Sequence, residues 1–215
     1  MAAADTGRIP PGSIVFNSTV KDYRGDAVVR ETRYQVYNKD REKSLVKTIF
    51  PERQSGRKLL MDNDNLWFYT PDIKRPTRVS MQQKLTGEVA NGDLARTNFS
   101  GDYGAKLVGI EDKGGQKNMH LALTANHKGV TYSKIDYWVT VKDVLPLRAI
   151  FYAVSGKKLK TAEYTNVQTV LGKKCVTVTT FTDALDTSRR SILTYSNFER
   201  TTIPASLLSK EGLSE

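Results

Sequence analysis

The chain offers few residues that could catalyse a reaction. Its only histidines are His120, in a strand-like segment, and His127, in the turn-like stretch NHKG. Acid–base catalysis needs a partner at hydrogen-bond distance, and a structural role is the simpler interpretation of both rings. The sequence also has none of the glycine-rich phosphate loops, nucleophile elbows or HExxH patterns of common enzymes. We therefore expect no enzyme, although the acids Asp102, Glu111 and Asp136 could meet in the fold.

The single cysteine limits redox and metal chemistry. Cys175 stands in the alternating run CVTVTTF and has no second thiol with which to form an internal disulfide. With two histidines, the chain also lacks the ligand set of a typical zinc site. We interpret Cys175 as a small, half-buried side chain on a strand, and we expect neither a metal nor a cofactor.

The composition favours a soluble, basic binding protein. Its 33 Lys and Arg residues exceed its 23 Asp and Glu residues, which gives a net charge of +10, and 39% of the 215 residues are hydrophobic. No stretch approaches the ~20 apolar residues of a membrane-spanning helix. The basic residues are scattered, which favours a generally basic surface, suited to anionic membranes, over a nucleic-acid stripe.

Period-two alternation predicts that most of the chain forms strands. In residues 133–141, one face carries Ile135, Tyr137, Val139 and Val141. Similar runs are residues 27–37, 44–50, 58–63, 105–112, 118–125, 146–154, 160–170, 174–182 and 189–198. Short turns between them require antiparallel neighbours. A meander of about ten or eleven strands should curl into an incomplete barrel.

The stretch LWFYTP needs apolar surroundings on both sides of a strand. Successive side chains alternate, so Trp67 and Tyr69 share one face, and Leu66 and Phe68 share the other. One pair would line a cavity and the other would pack elsewhere. The pattern alone does not say which pair faces the cavity.

One segment, residues 81–103, breaks the alternation. Its apolar residues Leu85, Val89, Leu94 and Phe99 recur at intervals of four and five. We predict two short helical turns, interrupted by glycines, with Asp93 as the N-cap or a first-turn residue of the second. Such a segment could cover the concave face of the sheet. The C-terminal stretch TTIPASLLSKEGLSE should form a second cap, in which Leu207, Leu208 and Leu213 pack down.

Binding therefore fits the chain better than catalysis. A large curved sheet leaves a concave face that can hold an apolar ligand if a lid excludes water. Burial of an acyl chain contributes about 0.8 kcal/mol per methylene. The alternative is that lid and sheet close on a solid core, and the residues alone do not decide between the two.

A family resemblance begins at LWFYTPDIKRPTRVS. This stretch resembles the bacterial outer-membrane lipoprotein-sorting proteins, which share the fold of the periplasmic lipoprotein carrier. The matching positions are Trp67, Tyr69 and Pro71 of a W-x-Y-x-P strand, followed by Arg78 and Ser80 of R-x-S. The resemblance extends from about residue 20 to residue 213.

Later motifs strengthen the resemblance. RTNFSGDY, with Phe99 and Asp102, is similar to a family segment in which an acid follows an aromatic. Asp143 and Pro146 match the turn between two late strands, and IPASLLSKEGL resembles the family's tail, with Leu208 where phenylalanine is common. The sequence departs from the family in two ways. The long first helix of the family is replaced by strand-like residues 13–23. The arginine that holds the family's lid shut matches no single position, and Arg30 and Arg33 are candidates only by their place in the chain.

The resemblance implies a single carrier domain, residues 1–215, with a mainly β half-barrel, helices over its concave face and a lid insertion at 81–103. It further implies a monomer that binds an acylated lipoprotein or a free lipid, serves an inner-membrane exporter and an outer-membrane acceptor, and needs no cofactor. The location would be the periplasm; the start MAAAD could be what a removed signal peptide leaves. The expected cavity and lid residues are Trp67, Tyr69, Leu85, Val89, Leu94, Phe99, Tyr137 and Val139.

Two other functions remain open at this point. The same fold could serve as a regulatory or sensor module of the envelope that binds a protein partner, because fold does not determine function. Binding of single-stranded nucleic acid through aromatics and lysines is a third possibility, but the aromatics are not interleaved with a dense basic stripe. We expect no nucleic-acid partner.

Overall fold

Alternating strands build most of the molecule. A computed structural model describes residues 1–40, 42–96, 98–113 and 115–214. The strands are β1 (Ile14–Arg24), β2 (Ala27–Lys39), β3 (Lys43–Phe50), β4 (Lys58–Asp62), β5 (Asn65–Tyr69), β6 (Thr77–Arg78), β7 (Lys84–Thr86), β8 (Val89–Ala90), β9 (Tyr103–Lys113), β10 (Gln116–Ala125), β11 (Lys134–Thr140), β12 (Pro146–Tyr152), β13 (Lys158–Val170), β14 (Lys173–Asp183) and β15 (Arg189–Arg200). The helices are α1 (Ala2–Thr6), α2 (Asn91–Ala95) and three 3₁₀ turns, Glu52–Gln54, Ala205–Leu208 and Glu211–Leu213.

Thirteen of the described strands form one antiparallel sheet. Their order is β6-β5-β4-β3-β2-β1-β15-β14-β13-β12-β11-β10-β9, so β6 and β9 are its two edges and the sheet stays open. The predicted antiparallel half-barrel is confirmed. The predicted count of ten or eleven strands is too low, because β1 and the two-residue β6 also join the sheet. No helix in the described part of the chain is long and apolar enough to cross a membrane.

The strand order explains why a lid segment crosses the sheet. The chain leaves the sheet at one edge, β6, and re-enters it at the opposite edge, β9, so residues 79–102 must cross from edge to edge. The crossing contains the small hairpin β7–β8 and then α2, whose helix contacts β3 and β4. The second predicted helical turn is confirmed, but the first is wrong. Gly87, with φ of +48°, makes a tight turn there, and the chain pairs as a hairpin instead.

The lid and the inner face of the sheet share one hydrophobic core. Ile135, Tyr137 and Val139 of β11 are fully buried in it, as the alternation predicts. The fourth residue of that predicted face, Val141, lies beyond the strand and is exposed. Val89 and Leu94 of the lid reach the same core from the other side. In this closed arrangement the lid and the sheet pack directly on each other.

A second, smaller cluster lies on the outer face of β3, β4 and β5. The C-terminal 3₁₀ turns cover this face, and Leu208 and Leu213 are buried there, as predicted. The cluster also contains Leu45, Leu60, Tyr69 and Ile203, with Tyr37, Trp67 and Leu207 at its margin. The strand of LWFYTP therefore separates two apolar environments.

The N-terminal segment enters the inner core instead of lying outside it. Helix α1 has five residues, and Ala4 and Ile9 are buried against the sheet and lid. The Val176 amide donates to the Gly7 carbonyl at 2.9 Å, which fastens the segment to β14. The carboxylate of Asp5 accepts the amides of Phe99 and Ser100 at 2.8 and 2.9 Å. Residues 4–9 therefore connect the lid to the sheet.

Candidate functional site

A buried lysine holds α2 of the lid against the sheet. Lys160 of β13 is 4% exposed, and its Nζ atom lies 2.5 Å from Asp93 Oδ2 and 2.5 Å from the Glu88 carbonyl oxygen. Burial lowers the pKa of Lys160, while the Asp93 carboxylate opposes that shift. Asp93 also accepts the Ala90 amide and the Tyr132 hydroxyl, each at 2.8 Å. Asp93 is thus the predicted first-turn residue of α2, and it also anchors the lid.

The lid hairpin docks on β1 and β15. Thr86 donates its hydroxyl to Asp22 at 2.7 Å, and the hydroxyl of Ser191 donates to the same carboxylate at 2.6 Å. The Glu88 amide donates to Ser191 Oγ at 2.8 Å. Gly87 sits between these groups, where an added Cβ would collide with Asp22 and Ser191. The close approach and the positive φ both require glycine at this turn.

Gly87→Ala should therefore loosen the lid hairpin. The added methyl group must displace the Asp22 carboxylate, so we expect the free energy of unfolding to fall by about 1–3 kcal/mol more than in the control. Gly25→Ala is the matched control, because Gly25 also has positive φ (59°) but open space around its Cβ position. Urea unfolding of both variants measures the difference. Equal losses would contradict the predicted contact.

The far end of the lid is tied down by an arginine and a histidine. Arg96 pairs with Asp102 and, at 3.1 Å, with Asp64. His127 Nδ1 lies 2.9 Å from the Lys128 carbonyl, and its Nε2 lies 3.3 Å from Asp102 Oδ1. The Lys128 carbonyl contact, followed by the two carboxylates, raises the pKa of His127 above 6.5.

The His127 shift predicts a pH dependence of stability. Because the folded pKa is raised, the stabilising contribution of His127 is fully present below pH 6.5 and is lost as pH rises through the folded pKa. His127→Gln should lose more stability at about pH 5.5 than at about pH 8. An NMR titration of the His127 ring in the folded protein checks the cause directly. A midpoint at or below the ordinary value would overturn this prediction.

The structure brings six of the eight expected cavity residues together. Val89, Leu94, Phe99, Tyr137 and Val139 are buried in the inner core, and Leu85 packs against it. Leu85 also lines a cavity of about 160 Å³, together with Phe68, Val79 and polar side chains.

Trp67 and Tyr69 lie on the opposite face of the sheet. They pack under the C-terminal segment, and Lys210 Nζ lies 4.2 Å from the centroid of the Trp67 ring. The prediction that Trp67 and Tyr69 lie beside the lid is therefore wrong. Leu66 and Phe68, which alternate with them, face the inner core. Which pair faces the inner core depends on which face of the sheet the C-terminal segment packs against.

Of the two candidate lid arginines, one reaches the lid. Arg30 Nη1 lies 3.5 Å from the Thr86 hydroxyl, at the limit of a hydrogen bond. Arg33 instead pairs with Glu31 at 2.6 Å. The stronger contact to the lid is made by Lys160, which the sequence reasoning missed, because a lysine near the start of a strand is typical of a solvated position.

An apolar stripe remains uncovered at the β9 edge of the inner face. Leu107 and Ile110 of β9 are 52% and 60% exposed. Their cross-strand partners on β10, Leu121 and Met119, are half-buried and pack against the inner core. The sequence reasoning predicted these strands but did not single out these residues, because their exposure depends on β9 being an edge.

The register places this stripe in line with the buried core. Leu107 pairs with Leu121, and Leu121 pairs with Tyr137. A parallel row runs from Ile110 through Met119 to Val139. Neighbouring strands lie about 4.8 Å apart, so each row spans about 10 Å from the open edge to a fully buried side chain. The described inner face thus offers a continuous apolar path from solvent to the core beneath the lid.

Comparisons with known proteins identify the fold. A protein-family model with the description "-like: Uncharacterized protein" matches residues 40–215. No relative of the chain is found among curated proteins. The crystal structure of a LolA superfamily protein from Nitrosomonas europaea has 36% sequence identity and a TM-score of 0.93, and the match covers 98% of this chain and 96% of that one.

Two more distant structures share the fold. An outer membrane lipoprotein-sorting protein domain from Vibrio parahaemolyticus has 20% identity and a TM-score of 0.83, over 100% of this chain and 96% of that one. A DUF1329 family protein from Desulfovibrio piger has 20% identity and a TM-score of 0.81, over 95% and 92% of the two chains. The identity and coverage of the Nitrosomonas protein carry the assignment: this chain belongs to the LolA superfamily.

Proposed function

We propose that this protein is a periplasmic carrier, a single domain acting as a monomer, that binds the acyl chain of a lipoprotein or a free lipid on the inner face of its half-barrel. Binding needs apolar burial and a lid, and it requires no catalysis and no cofactor. The ligand would be received from an inner-membrane exporter and passed towards the outer membrane. Membership of the LolA superfamily and the resemblance to a lipoprotein-sorting domain support this role.

The observation that carries the proposal is the uncovered apolar stripe on β9 and β10. Exposed Leu107 and Ile110 continue directly into the core through Leu121 and Met119. Isolated exposed aliphatic side chains are ordinary, but a connected stripe that leads into a core is typical of a binding surface. An acyl chain laid along this path would cover the stripe.

The lid sets the energetic requirement for deeper binding. Val89 and Leu94 already occupy the inner face, so an entering chain must exchange its own contacts for theirs. Burial of ten methylenes contributes about 8 kcal/mol before ordering costs. That gain offsets the apolar contacts that Val89 and Leu94 give up, while the polar contacts of Thr86 and Asp93 keep the lid next to the sheet. We therefore expect the lid to move without unfolding of the sheet.

Lipid extraction and ligand titration test the function. Native mass spectrometry of the purified protein, followed by organic extraction, should reveal a bound acyl species. The delipidated protein should bind a fluorescent fatty-acid probe with saturable, stoichiometric uptake. Absence of both an extracted lipid and binding above that of a heat-unfolded sample would refute the carrier function.

A further inference from the structure

The inner core contains an arginine whose guanidinium makes no salt bridge with the described residues. Arg8 is 7% exposed, and its Nη1 atom has no hydrogen-bond partner among the described residues. Burial lowers the pKa of Arg8 and the charge of the Asp5 carboxylate raises it, but the hydrogen bonds of that carboxylate go to the amides of Phe99 and Ser100. The guanidinium lies 4.2 Å from the centre of the Phe99 ring. A buried guanidinium nitrogen without an acceptor is costly, so Arg8 has an unused hydrogen-bond donor in the core.

A tyrosine hydroxyl without a partner lies close to this arginine. Tyr137 is fully buried, and its hydroxyl has no hydrogen-bond partner among the described residues. Its ring meets the Phe99 ring edge-on, with 5.4 Å between centroids, so Phe99 contacts both Tyr137 and Arg8. Burial raises the pKa of Tyr137 well above its usual value, so the hydroxyl keeps its proton and can donate. The two unpartnered groups are thus both donors.

The position of Tyr137 connects these donors to the proposed acyl path. Tyr137 is the third residue of the row that begins at exposed Leu107 and passes through Leu121. A ligand whose chain follows this row would bring one end to the Tyr137 hydroxyl and the Arg8 guanidinium. An oxyanion would accept from both donors, and its hydrogen bond from the guanidinium would be stronger than that of a neutral end group because both partners are charged.

We propose that Arg8 and Tyr137 bind a compact oxyanion at one end of the acyl ligand, so that the cargo is an anionic lipid. This inference rests on the proposed carrier function and names the ligand class within it. The shared chemistry is a carboxylate or a phosphate attached to a long alkyl chain. Arg8 supplies a permanent charge, and Tyr137 supplies a neutral donor in a site sheltered from water.

Three ligands with the same chain test the proposal: hexadecanoic acid, hexadecyl phosphate and hexadecanol, each competing with a fluorescent probe on the delipidated protein. We expect at least tenfold tighter binding of one or both anions than of the alcohol. A preference for the acid indicates a carboxylate cargo, and a preference for the phosphate indicates a phosphate-bearing lipid. Equal binding of all three would overturn the anion site but leave the carrier function intact. No binding of any of the three, together with no uptake of the probe and no extracted lipid, would overturn both.

Variants assign the preference to these residues. In Arg8→Gln, the ratio of anion to alcohol affinity should fall to about one, and in Tyr137→Phe it should fall several-fold. Arg33→Gln, on an arginine paired at the surface with Glu31, is the matched control and should keep the ratio. A ratio retained in Arg8→Gln would refute the assignment. If Arg8→Gln does not fold, the anion-to-alcohol affinity ratios of the wild type and of Tyr137→Phe test the proposal, and equal ratios in the two would refute the role of Tyr137.

Discussion

Lys160→Met should lower the free energy of unfolding by about 3–5 kcal/mol, because it removes one partner of a buried ion pair. The methionine fills a similar volume but leaves the buried Asp93 carboxylate with two donors, the Ala90 amide and the Tyr132 hydroxyl. The Glu88 carbonyl loses its bond to the ammonium. Urea unfolding measures the loss, and hydrogen exchange should show reduced protection of the amides in residues 84–95.

A control and a double variant separate the ion pair from side-chain packing. Lys158→Met lies on the same strand at an exposed position, so we expect a change within about 0.5 kcal/mol. Adding Asp93→Asn to Lys160→Met should cost less than the sum of the single losses, because the uncompensated charge disappears. If Lys160→Met were no more destabilising than Lys158→Met, the lysine would not hold the lid.

Ile110→Glu should weaken binding of a fluorescent fatty acid at least about tenfold, equivalent to about 1.4 kcal/mol. The substitution places a carboxylate in the middle of the apolar stripe, where an acyl chain would otherwise cover Ile110 and Met119. It removes little from the folded state, because Ile110 is already 60% exposed. The measurement is a titration of the delipidated variant with the probe.

Ile73→Glu provides the matched control for this variant. Ile73 is 65% exposed in the loop between β5 and β6. Both variants carry the same change in charge and side chain, so a general electrostatic effect on an anionic probe would appear in both. Binding by Ile110→Glu equal to that of Ile73→Glu would place the ligand elsewhere. The free energies of unfolding of the two variants should agree within about 0.5 kcal/mol.

Much of the sheet could be predicted because strand alternation is a local signal. Ile135, Tyr137 and Val139 show it within seven residues, and their burial needs no knowledge of the partner strands. The absence of this alternation in residues 81–103 indicates the lid. Its first half forms a hairpin and not the predicted helical turn, because a spacing of four between Leu85 and Val89 suits both a helical turn and a hairpin around Gly87.

The site was harder to predict because its assembly depends on non-local contacts. Alternation shows that Trp67 and Tyr69 share a face of the strand. Leu208 and Leu213 pack against that face, and only this non-local contact makes it the outer one. The exposure of Ile110 depends on β9 being the last strand of the sheet.

The buried charges Lys160 and Arg8 have no local pattern that distinguishes them from solvated basic residues. Each becomes recognisable only through its surroundings: Asp93 and the Glu88 carbonyl for Lys160, and the Phe99 ring for Arg8.

Photo-crosslinking of an acyl chain shows where the ligand lies on the protein. A fatty acid with a diazirine on its chain would be bound to the delipidated protein, irradiated, and mapped by peptide mass spectrometry. We predict labelling of residues 105–112 and 117–125, on β9 and β10, with further labels on the lid between 85 and 99. Labelling confined to Trp67 and residues 203–213 on the outer face, or no labelling above that of unfolded protein, would contradict it.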